Sequence, residues 1–418
     1  MAWSRRIWGY AAALLLLAAG VGGIYLALRY GPLRLGPAAR ARLGAAAPCT
    51  LEGRSRRGDC YQQAFTATVR SAGVAGAIAA LQAVALVDRD ANRNGHVYAH
   101  GIGIEGFQHL HNVPAAFDHC PVDFASGCGH GVIQAYLESQ SEMDSATVNG
   151  LCTPYRKPGQ PMWQLFQCVH GMGHGLDMMY RGNLPHALRT CDLLGDGWDR
   201  ASCYGGAFME NIMEEIAPHH PASELAASHD HDHMGMDMGE PTFKRLDRTQ
   251  PLYPCSIMET KYLQPCYEIQ TAAILHYNRG SIRKTSEICD TAPDAMRPIC
   301  YLSLGRDITS KAGRSPARTR RYCDQSGEKY RKWCYFGAAK ALVDWGAQAE
   351  PGLAFCGVLG NVRGSLFCYQ AVGEQIRALV GPEPERAALC AGITRKEALE
   401  ACRYGAGIPG STLPRDEG

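Results

Sequence analysis

The chain has 418 residues and a formal net charge of +2, from 42 lysine and arginine residues and 40 aspartate and glutamate residues. This balance lacks the basic excess that would indicate a nucleic-acid partner. Hydrophobic residues make up 46% of the chain, and the 18 cysteines, once paired, require an oxidising compartment.

The first predicted element is an uncharged apolar run at residues 7–28, which is long enough to cross a bilayer. Arginines flank it on both sides, so charge alone does not set its orientation. Because the disulfide-forming cysteines must lie outside the cytoplasm, residues 1–6, on the other side of the predicted span, are predicted to be a cytoplasmic stub. The run is longer than most signal-peptide cores, which favours an anchor over a cleaved signal peptide. Residues 29–48, rich in Pro, Gly, Ala and Arg, are predicted to be a tether.

Cysteine pairs then recur at a nearly constant period. From Cys255 onward, the first members of successive pairs are 34, 34, 33 and 34 residues apart. A strict period in this range is typical of stacked repeats. Val87 and Tyr98 occupy the places of one missing pair and are interpreted as its apolar replacement, which makes ten units in all. The repeat domain is predicted at residues 49–408, and residues 409–418 form a polar tail.

Two pairing schemes fit the cysteines, one across the short gap within each pair and one across the long gap between pairs. The long-gap scheme leaves the two terminal cysteines and those beside the missing pair without partners, whereas the short-gap scheme leaves none. We therefore expect nine short-gap disulfides. They are Cys49–Cys60, Cys120–Cys128, Cys152–Cys168, Cys191–Cys203, Cys255–Cys266, Cys289–Cys300, Cys323–Cys334, Cys356–Cys368 and Cys390–Cys402.

Glycine and proline positions indicate how each unit folds. A glycine 12 to 14 residues after the second cysteine, such as Gly182 or Gly313, marks the end of a long helix. A proline five to seven residues before the next first cysteine, such as Pro185 or Pro316, marks the start of a short helix. The predicted fold class is all-α, an α-solenoid of about ten helix-turn-helix repeats.

The period, the helix pairing and the cysteine spacing resemble those of tetratricopeptide-like α-solenoids, particularly the cysteine-rich secreted kind with one disulfide in each repeat. This resemblance covers about residues 49–408. It implies a right-handed, curved scaffold whose concave face binds a protein or peptide partner, and it carries over no catalytic residue.

Histidines are concentrated in the first half of the chain. His100, His130 and His170 each lie two residues after the second cysteine of a unit, or after Tyr98 in its place. A glycine follows each one and allows close approach of helices. His96 lies one helical turn before His100, and His174 lies one turn after His170. Imidazole is a good ligand for zinc and copper.

Glu105 and Glu210 occupy the same position within their respective units. Their carboxylates are candidates to complete a Cu or Zn site. The alternative is that each histidine packs against glycine between helices and bonds a backbone carbonyl. The sequence leaves both interpretations open. Asp177 and the pair Glu214/Glu215 are interpreted as solvated helix charges rather than as acid/base groups.

The step from Cys191 to Cys255 contains an insertion at residues 219–240 that is rich in histidine and methionine. Imidazole and thioether ligands together suit copper. The candidate ligands are His229, His231, His233, Met234, Met236 and Met238. This composition resembles the Met/His-rich segments of bacterial periplasmic copper-handling proteins, which implies copper binding. The alternative is a polar loop with adventitious metal affinity.

The sequence thus predicts a membrane-anchored scaffold in the periplasm or outside the cell, with a bound transition metal and a protein or peptide partner. A metal-dependent enzyme centred on the same histidines is one alternative, and a metal-free structural interaction module is another. The chain contains no Cys-x-x-Cys, His-Glu-x-x-His or Gly-x-Ser-x-Gly motif that would indicate a reaction.

Overall fold

The computed structural model describes residues 44–140, 143–157, 162–216 and 243–414. These residues form helices, short 3-10 helices and turns, and no β-strand is present among them. The prediction of an all-α fold is confirmed. The apolar run at 7–28, the stub before it, most of the tether and the whole His/Met-rich insertion lie outside the described residues, as do residues 415–418 of the tail.

Long and short helices alternate along most of the chain. The long helices are α1 (Arg54–Ala85), α3 (Gly95–Leu110), α5 (Gly127–Glu138), α7 (Trp163–Met179), α9 (Gly197–Ile216), α13 (Arg297–Lys311), α15 (Arg331–Asp344), α17 (Ser365–Leu379) and α19 (Lys396–Gly405). The others are α2 (Arg89–Arg93), α4 (Val113–Phe117), α6 (Ser145–Leu151), α8 (Leu184–Cys191), α10 (Thr260–Tyr267), α11 (Thr271–Tyr277), α12 (Ile282–Cys289), α14 (Pro316–Cys323), α16 (Ala349–Leu359) and α18 (Glu383–Cys390).

The long helices pack side by side in chain order. Contacts run from α1 through α3, α5 and α7 to α9, and again from α13 through α15 and α17 to α19. Between these two series, α10 and α11 together occupy the place of one long helix and contact both α9 and α13. The array also bends back on itself. The backbone N–H of Met162, before α7, donates a hydrogen bond to the carbonyl oxygen of Ala378, in α17, at 3.1 Å.

All 18 cysteines are paired, and the structure has the short-gap pairing throughout. The nine disulfides are those expected above, with sequence separations of 8 to 16 residues. Cys323, for example, ends α14 and bonds Cys334 in the first turn of α15. A typical staple therefore fixes the angle between a short helix and the long helix that follows it.

The aspartate that follows the first cysteine has a structural role in three units. It accepts a hydrogen bond from the tyrosine that follows the second cysteine. The pairs are Tyr204–Asp192 at 2.5 Å, Tyr301–Asp290 at 2.9 Å and Tyr335–Asp324 at 2.7 Å. Burial, and then the adjacent carboxylate, raise the pKa of each hydroxyl, so it remains a protonated donor. The bond crosses the same turn as the disulfide.

The unit without a disulfide is closed by aromatic packing. Tyr98 is buried, and its ring lies 5.5 Å from that of Tyr61 and 5.8 Å from that of Phe65. Val87 is exposed. Tyr98 packs against α1, the preceding long helix. The interpretation of Val87 and Tyr98 as an apolar replacement for the disulfide stays a prediction.

Helix α1 consists of two helical segments joined end to end. It bends at Gly73, which has φ 75° and ψ 175° and follows Cys60 by 13 residues, where glycine ends the long helix in other units. Residues Arg56–Ala85 are long and apolar enough to cross a membrane by length and composition alone. Cys60 forms a disulfide, and α1 packs against α3, as expected of a helix in the protein core.

Glycines bring the long helices together in close pairs. A Cβ atom on Gly131 of α5 would lie 2.0 Å from the His100 carbonyl oxygen, and one on Gly103 of α3 would lie 1.9 Å from that of Cys128. The same reciprocal contact joins α7 to α9, α13 to α15 and α17 to α19. Its glycines are Gly173 and Gly206, Gly305 and Gly337, and Gly373 and Gly405. These packing contacts recur every two units on either side of α10 and α11, so within each series of long helices the structural period is twice the period of the cysteines.

Candidate functional site

The structure brings the five predicted histidines of the helical array into one group, called here the histidine cluster. Its members are His96, His100, His130, His170 and His174. The ring centroids are 4.9 Å apart for His130–His174, 5.0 Å for His170–His174, 5.7 Å for His130–His170, 5.8 Å for His96–His130 and 6.1 Å for His96–His100.

Glycines make this proximity possible. Packed helix axes are usually about 8–10 Å apart, and imidazoles from three successive helices would rarely meet at that spacing. Here the α3–α5 and α7–α9 pairs pack backbone against backbone. Between them, a Cβ atom on Gly171 would lie only 3.3 Å from Cδ2 of His130. The glycine after each histidine removes the side chain that would hold the preceding long helix away.

The cluster is almost closed to solvent. The exposed fractions of His100, His130, His170 and His174 lie between 2% and 6%. Burial, followed by the neighbouring histidines, lowers the pKa of His130 well below its usual value. Burial, and then His174, lower the pKa of His170 to about 3. These two rings are therefore neutral at pH 7, and each retains a nitrogen lone pair.

The rings of His96, His130, His170 and His174 each use one nitrogen to bond a protein oxygen. The bonds are His174 Nδ1 to Glu210 Oε2 at 2.8 Å, His170 Nδ1 to the Ser202 carbonyl at 3.2 Å, His130 Nε2 to Gln167 Oε1 at 2.9 Å and His96 Nδ1 to the Phe124 carbonyl at 2.8 Å. Carbonyl and carboxylate oxygens accept, so the bonded nitrogen carries the proton. The second nitrogens of two rings, His130 Nδ1 and His174 Nε2, are buried and have no hydrogen-bond partner within the described part of the chain.

A buried acidic group lies beside His174. Glu210 is 1% exposed, and Asp177 is fully buried, so the interpretation of Asp177 as a solvated charge is wrong. Burial raises the pKa of Asp177 to about 7, and the Glu210 carboxylate adds to this, although the Arg245 guanidinium opposes it. Arg245 Nη1 lies 3.1 Å from Asp177 Oδ2, and the Arg245 carbonyl accepts from Asn211 at 3.0 Å.

The second predicted carboxylate is placed differently. Glu105 Oε1 accepts from Nε of Arg70 in α1, at 2.6 Å. Glu210 is thus the predicted carboxylate that contacts a cluster histidine. Its role was accessible from the sequence through the shared unit position, whereas Gln167 and Ser202 carried no sequence signal.

Aromatic side chains connect the cluster to the surface. Phe166 stacks on His170 with centroids 5.1 Å apart, and Trp198 lies 6.1 Å from Phe166. Both Phe166 and Trp198 are exposed. The charge of Arg306, in α13, contributes to the lowered pKa of His170, although less than burial and His174.

The side chains of the cluster are of types that bind metal ions, but their rings are not oriented around one shared metal position. Across the described ranges, no group of three or more His, Cys, Asp or Glu side chains is already arranged to hold a metal ion. Three imidazoles on one tetrahedral zinc have centroids about 5 Å apart, given Zn–N distances of about 2.0–2.1 Å. His130, His170 and His174 have this spacing, but the His130 and His174 rings are stacked at 23°. A shared metal ion would therefore require one ring to rotate.

Comparison with known proteins gives no relative. A scan against models of protein families finds no matching family, and searches of curated proteins and of solved structures find no match. The class that the fold defines is a disulfide-stapled, all-helical protein, and its most distinctive feature is the buried histidine cluster. The resemblances to tetratricopeptide-like solenoids and to copper-handling segments stay predictions.

Proposed function

We propose that this protein is a membrane-anchored, extracytoplasmic helical-repeat scaffold that binds one transition-metal ion, Cu or Zn, through the histidine cluster. His130, His170 and His174 are the proposed ligands. The observation that carries the proposal is their hydrogen bonding. Each ring donates one N–H to a protein oxygen, and the second nitrogens of His130 and His174 are buried without a partner. Metal-bound histidines are ordinarily oriented by such bonds.

A purely structural role accounts less well for these nitrogens. Leaving a buried polar atom without a partner costs about 1–3 kcal/mol. Two such atoms lie in one cluster, on rings stacked 4.9 Å apart. Once one of the rings rotates, a metal ion shared by the two would satisfy both lone pairs.

The charge beside the cluster also favours a cation. When both are ionised, Asp177 and Glu210 carry two negative charges, and the Arg245 guanidinium supplies one positive charge. Both carboxylates are almost completely buried, where uncompensated charge is costly. A divalent ion held by His174 would complement the remaining charge.

The wider architecture belongs to the same proposal. Nine disulfides favour the periplasm or the cell exterior, so the apolar run at residues 7–28 is assigned as an anchor with a cytoplasmic N-terminus. The array is assigned as a right-handed, tetratricopeptide-like solenoid of about ten units. Its concave face is the proposed surface for a protein or peptide partner. The exposed Phe166, which stacks on His170, and Trp198, next to Phe166, are proposed as aromatic contact residues for that partner.

One observation favours a metal-dependent enzyme as the second candidate. Asp177 is a buried carboxyl with a pKa of about 7, near a proposed metal ligand, and groups of this kind serve as general acids or bases. A catalytic metal keeps an exchangeable coordination position, whereas a structural site is closed. Exchange of a metal-bound water would therefore favour the enzyme.

X-ray absorption at the metal edge tests the proposal. The full chain and a variant lacking residues 219–238 are each loaded with one equivalent of Zn²⁺ or Cu²⁺. We expect both spectra to show about three imidazole ligands at about 2.0–2.1 Å. Oxygen-only coordination, or imidazole scattering that disappears with residues 219–238, would contradict a site in the histidine cluster.

A further inference from the structure

His96 is the member of the histidine cluster that is open to solvent. It is partly exposed, whereas the exposed fractions of the other four members do not exceed 6%. Its ring centroid lies 5.8 Å from that of His130, which in turn lies 4.9 Å from that of His174. These three rings therefore form a continuous row that leads from the first turn of α3 to the proposed metal ligands.

A strained turn holds His96. Phe124, Ala125 and Ser126 are three consecutive residues in the left-handed region, with φ of 55°, 53° and 60°. This conformation is costly for any residue with a Cβ atom, and runs of it are rare. The Phe124 carbonyl oxygen accepts a hydrogen bond from Nδ1 of His96 at 2.8 Å. The Phe124 ring packs against the preceding residue, Gly95, where a Cβ atom would lie 2.4 Å from its Cδ1.

Neighbouring contacts keep the turn in this conformation. The disulfide Cys120–Cys128 closes the loop that contains it, with a sequence separation of 8. Gln82, in α1, donates from Nε2 to Oδ2 of Asp123 at 2.5 Å, just before the turn. Strained backbone persists where its surroundings over-determine it, and it is concentrated at functional sites. The strain here serves to orient one ring, that of His96.

The hydrogen bond also determines which nitrogen of His96 can bind a metal ion. A carbonyl oxygen only accepts, so in the neutral ring Nδ1 carries the proton and Nε2 carries the lone pair. Metal-binding histidines are ordinarily oriented by such a bond. Two imidazoles on one ion, with Zn–N distances of about 2.0–2.1 Å, have centroids about 5–6 Å apart, depending on the angle at the metal. The His96–His130 separation lies in this range.

We propose that His96 is the entry ligand of the metal site. It binds the incoming ion first and passes it by ligand exchange to His130, from which the ion reaches His170 and His174. This inference rests on the proposed function, because it requires an ion that is bound in the histidine cluster. An entry ligand stabilises the ion in transit and not the ion at rest. Its loss therefore slows loading and release equally and leaves the affinity unchanged.

Stopped-flow kinetics of Zn²⁺ exchange in the full chain test this role. Loading is followed with a zinc-sensitive dye, and release is followed after addition of excess chelator. H96Q keeps a side-chain N–H that can donate to the Phe124 carbonyl, but it removes the imidazole lone pair. We expect H96Q to lower both rate constants about tenfold and to leave the affinity and the one-ion stoichiometry unchanged. Calorimetry identifies folded variants, and H96N replaces H96Q if that variant does not fold.

The matched control is H109Q, since His109 is an exposed histidine in the last turn of the same helix. H109Q should leave both rate constants unchanged. Wild-type rates in H96Q would overturn the entry role. A lower affinity caused by faster release alone would overturn it as well, because His96 would then be a ligand of the ion at rest. A wild-type chain that retains no Zn²⁺ or Cu²⁺ would instead contradict the proposed function, and with it this inference.

Discussion

At the residue scale, Glu210 is the side chain that most directly links local structure to the proposed site. It is buried and accepts the Nδ1 proton of His174, so Nε2 of that ring carries the lone pair. A carboxylate in this position fixes the ring orientation and increases the basicity of the ligand. Glu105 occupies the same position in its unit but pairs with Arg70, and it serves as the natural comparison.

Replacing Glu210 with glutamine should weaken metal binding. E210Q keeps an oxygen acceptor but removes the charge, and loss of such a partner lowers metal affinity about 10–100-fold. Competition titration with a chelating dye measures the change. E105Q is the matched control and should leave the affinity unchanged. Equal losses in the two variants would show that His174 is not positioned by Glu210.

Acid should destabilise the fold through His170. Its pKa is about 3 in the folded chain and about 6.5 when unfolded, so between these values the unfolded chain binds a proton that the folded chain excludes. The free energy of unfolding therefore falls as the pH is lowered from about 6.5, by up to roughly 1.4 kcal/mol per pH unit for this group. H170Q should make the slope between pH 6 and pH 4 shallower in urea unfolding with the disulfides intact.

Asp177 provides a control of opposite sign. Its pKa is raised to about 7, so the folded chain binds the extra proton and the contribution of this group is lost as the pH rises toward 7. D177N removes that opposing contribution, so the acid-side slope should become steeper. Slopes that match the wild type in both H170Q and D177N would contradict the burial of these two groups.

The sequence predicted the cluster members and the carboxylate Glu210, but not the partners Gln167 and Ser202. His100, His130 and His170 could be aligned because the cysteine period gives each a position in its unit. Gln167 and Ser202 could not, because their contacts depend on how neighbouring helices are rotated against each other. Asp177 was misinterpreted for the same reason, since Arg245, its partner, lies 68 residues away.

At the element scale, the long helices are held in pairs by glycine. The sequence predicted helix pairs and disulfide staples, because turns, caps and cysteine spacing are local. The two-unit packing period was missed, because the cysteine spacing is nearly the same in both units of a pair. What differs between the two units is the position of the contact glycine. It lies five residues after the second cysteine in α7 and three residues after it in α9.

A methyl group at a paired glycine should destabilise the fold. In G173A the new Cβ would lie 2.0 Å from the Cys203 carbonyl oxygen, which belongs to a helix backbone. We expect a loss of about 1–3 kcal/mol and a lower thermal midpoint in calorimetry. G357A is the matched control, since nothing lies within 4 Å of its Cβ. That variant should gain about 0.5–1 kcal/mol, because alanine is the better helix former.

The same substitution in another pair separates stability from function. G305A introduces a Cβ atom 2.1 Å from the Cys334 carbonyl oxygen, in helices that carry none of the cluster histidines. It should cost as much stability as G173A and leave metal affinity unchanged. G173A should also lower metal affinity, because it separates the helix of His170 and His174 from that of Glu210. Equal metal affinities in the two variants would contradict this coupling.

At the scale of the whole molecule, nine staples act on an array that has no single compact core. Each closes a short loop, a constraint worth roughly 2–4 kcal/mol taken singly. Reduction should therefore lower the thermal midpoint steeply. Thiol titration of the denatured, unreduced chain should detect no free cysteine. Several reactive thiols would contradict the pairing, and with it the assignment to an oxidising compartment.

The bend that brings distant parts of the array into contact could not be predicted from the sequence. A hydrogen bond between Met162 and Ala378 joins residues 216 positions apart, and Arg306 influences the pKa of His170. Small rotations at each helix interface add up to this bend, and no local pattern encodes their sum.

The central claim is that the histidine cluster holds one metal ion, and metal stoichiometry tests it most directly. The full chain, a variant lacking residues 219–238 and the triple variant H130A/H170A/H174A are each exposed to Zn²⁺ or Cu²⁺, desalted and analysed by mass spectrometry for metal content. The account predicts one tightly held ion in the first two and none in the third. Failure of the full chain to retain metal, or loss of the ion only on deletion of residues 219–238, would contradict it.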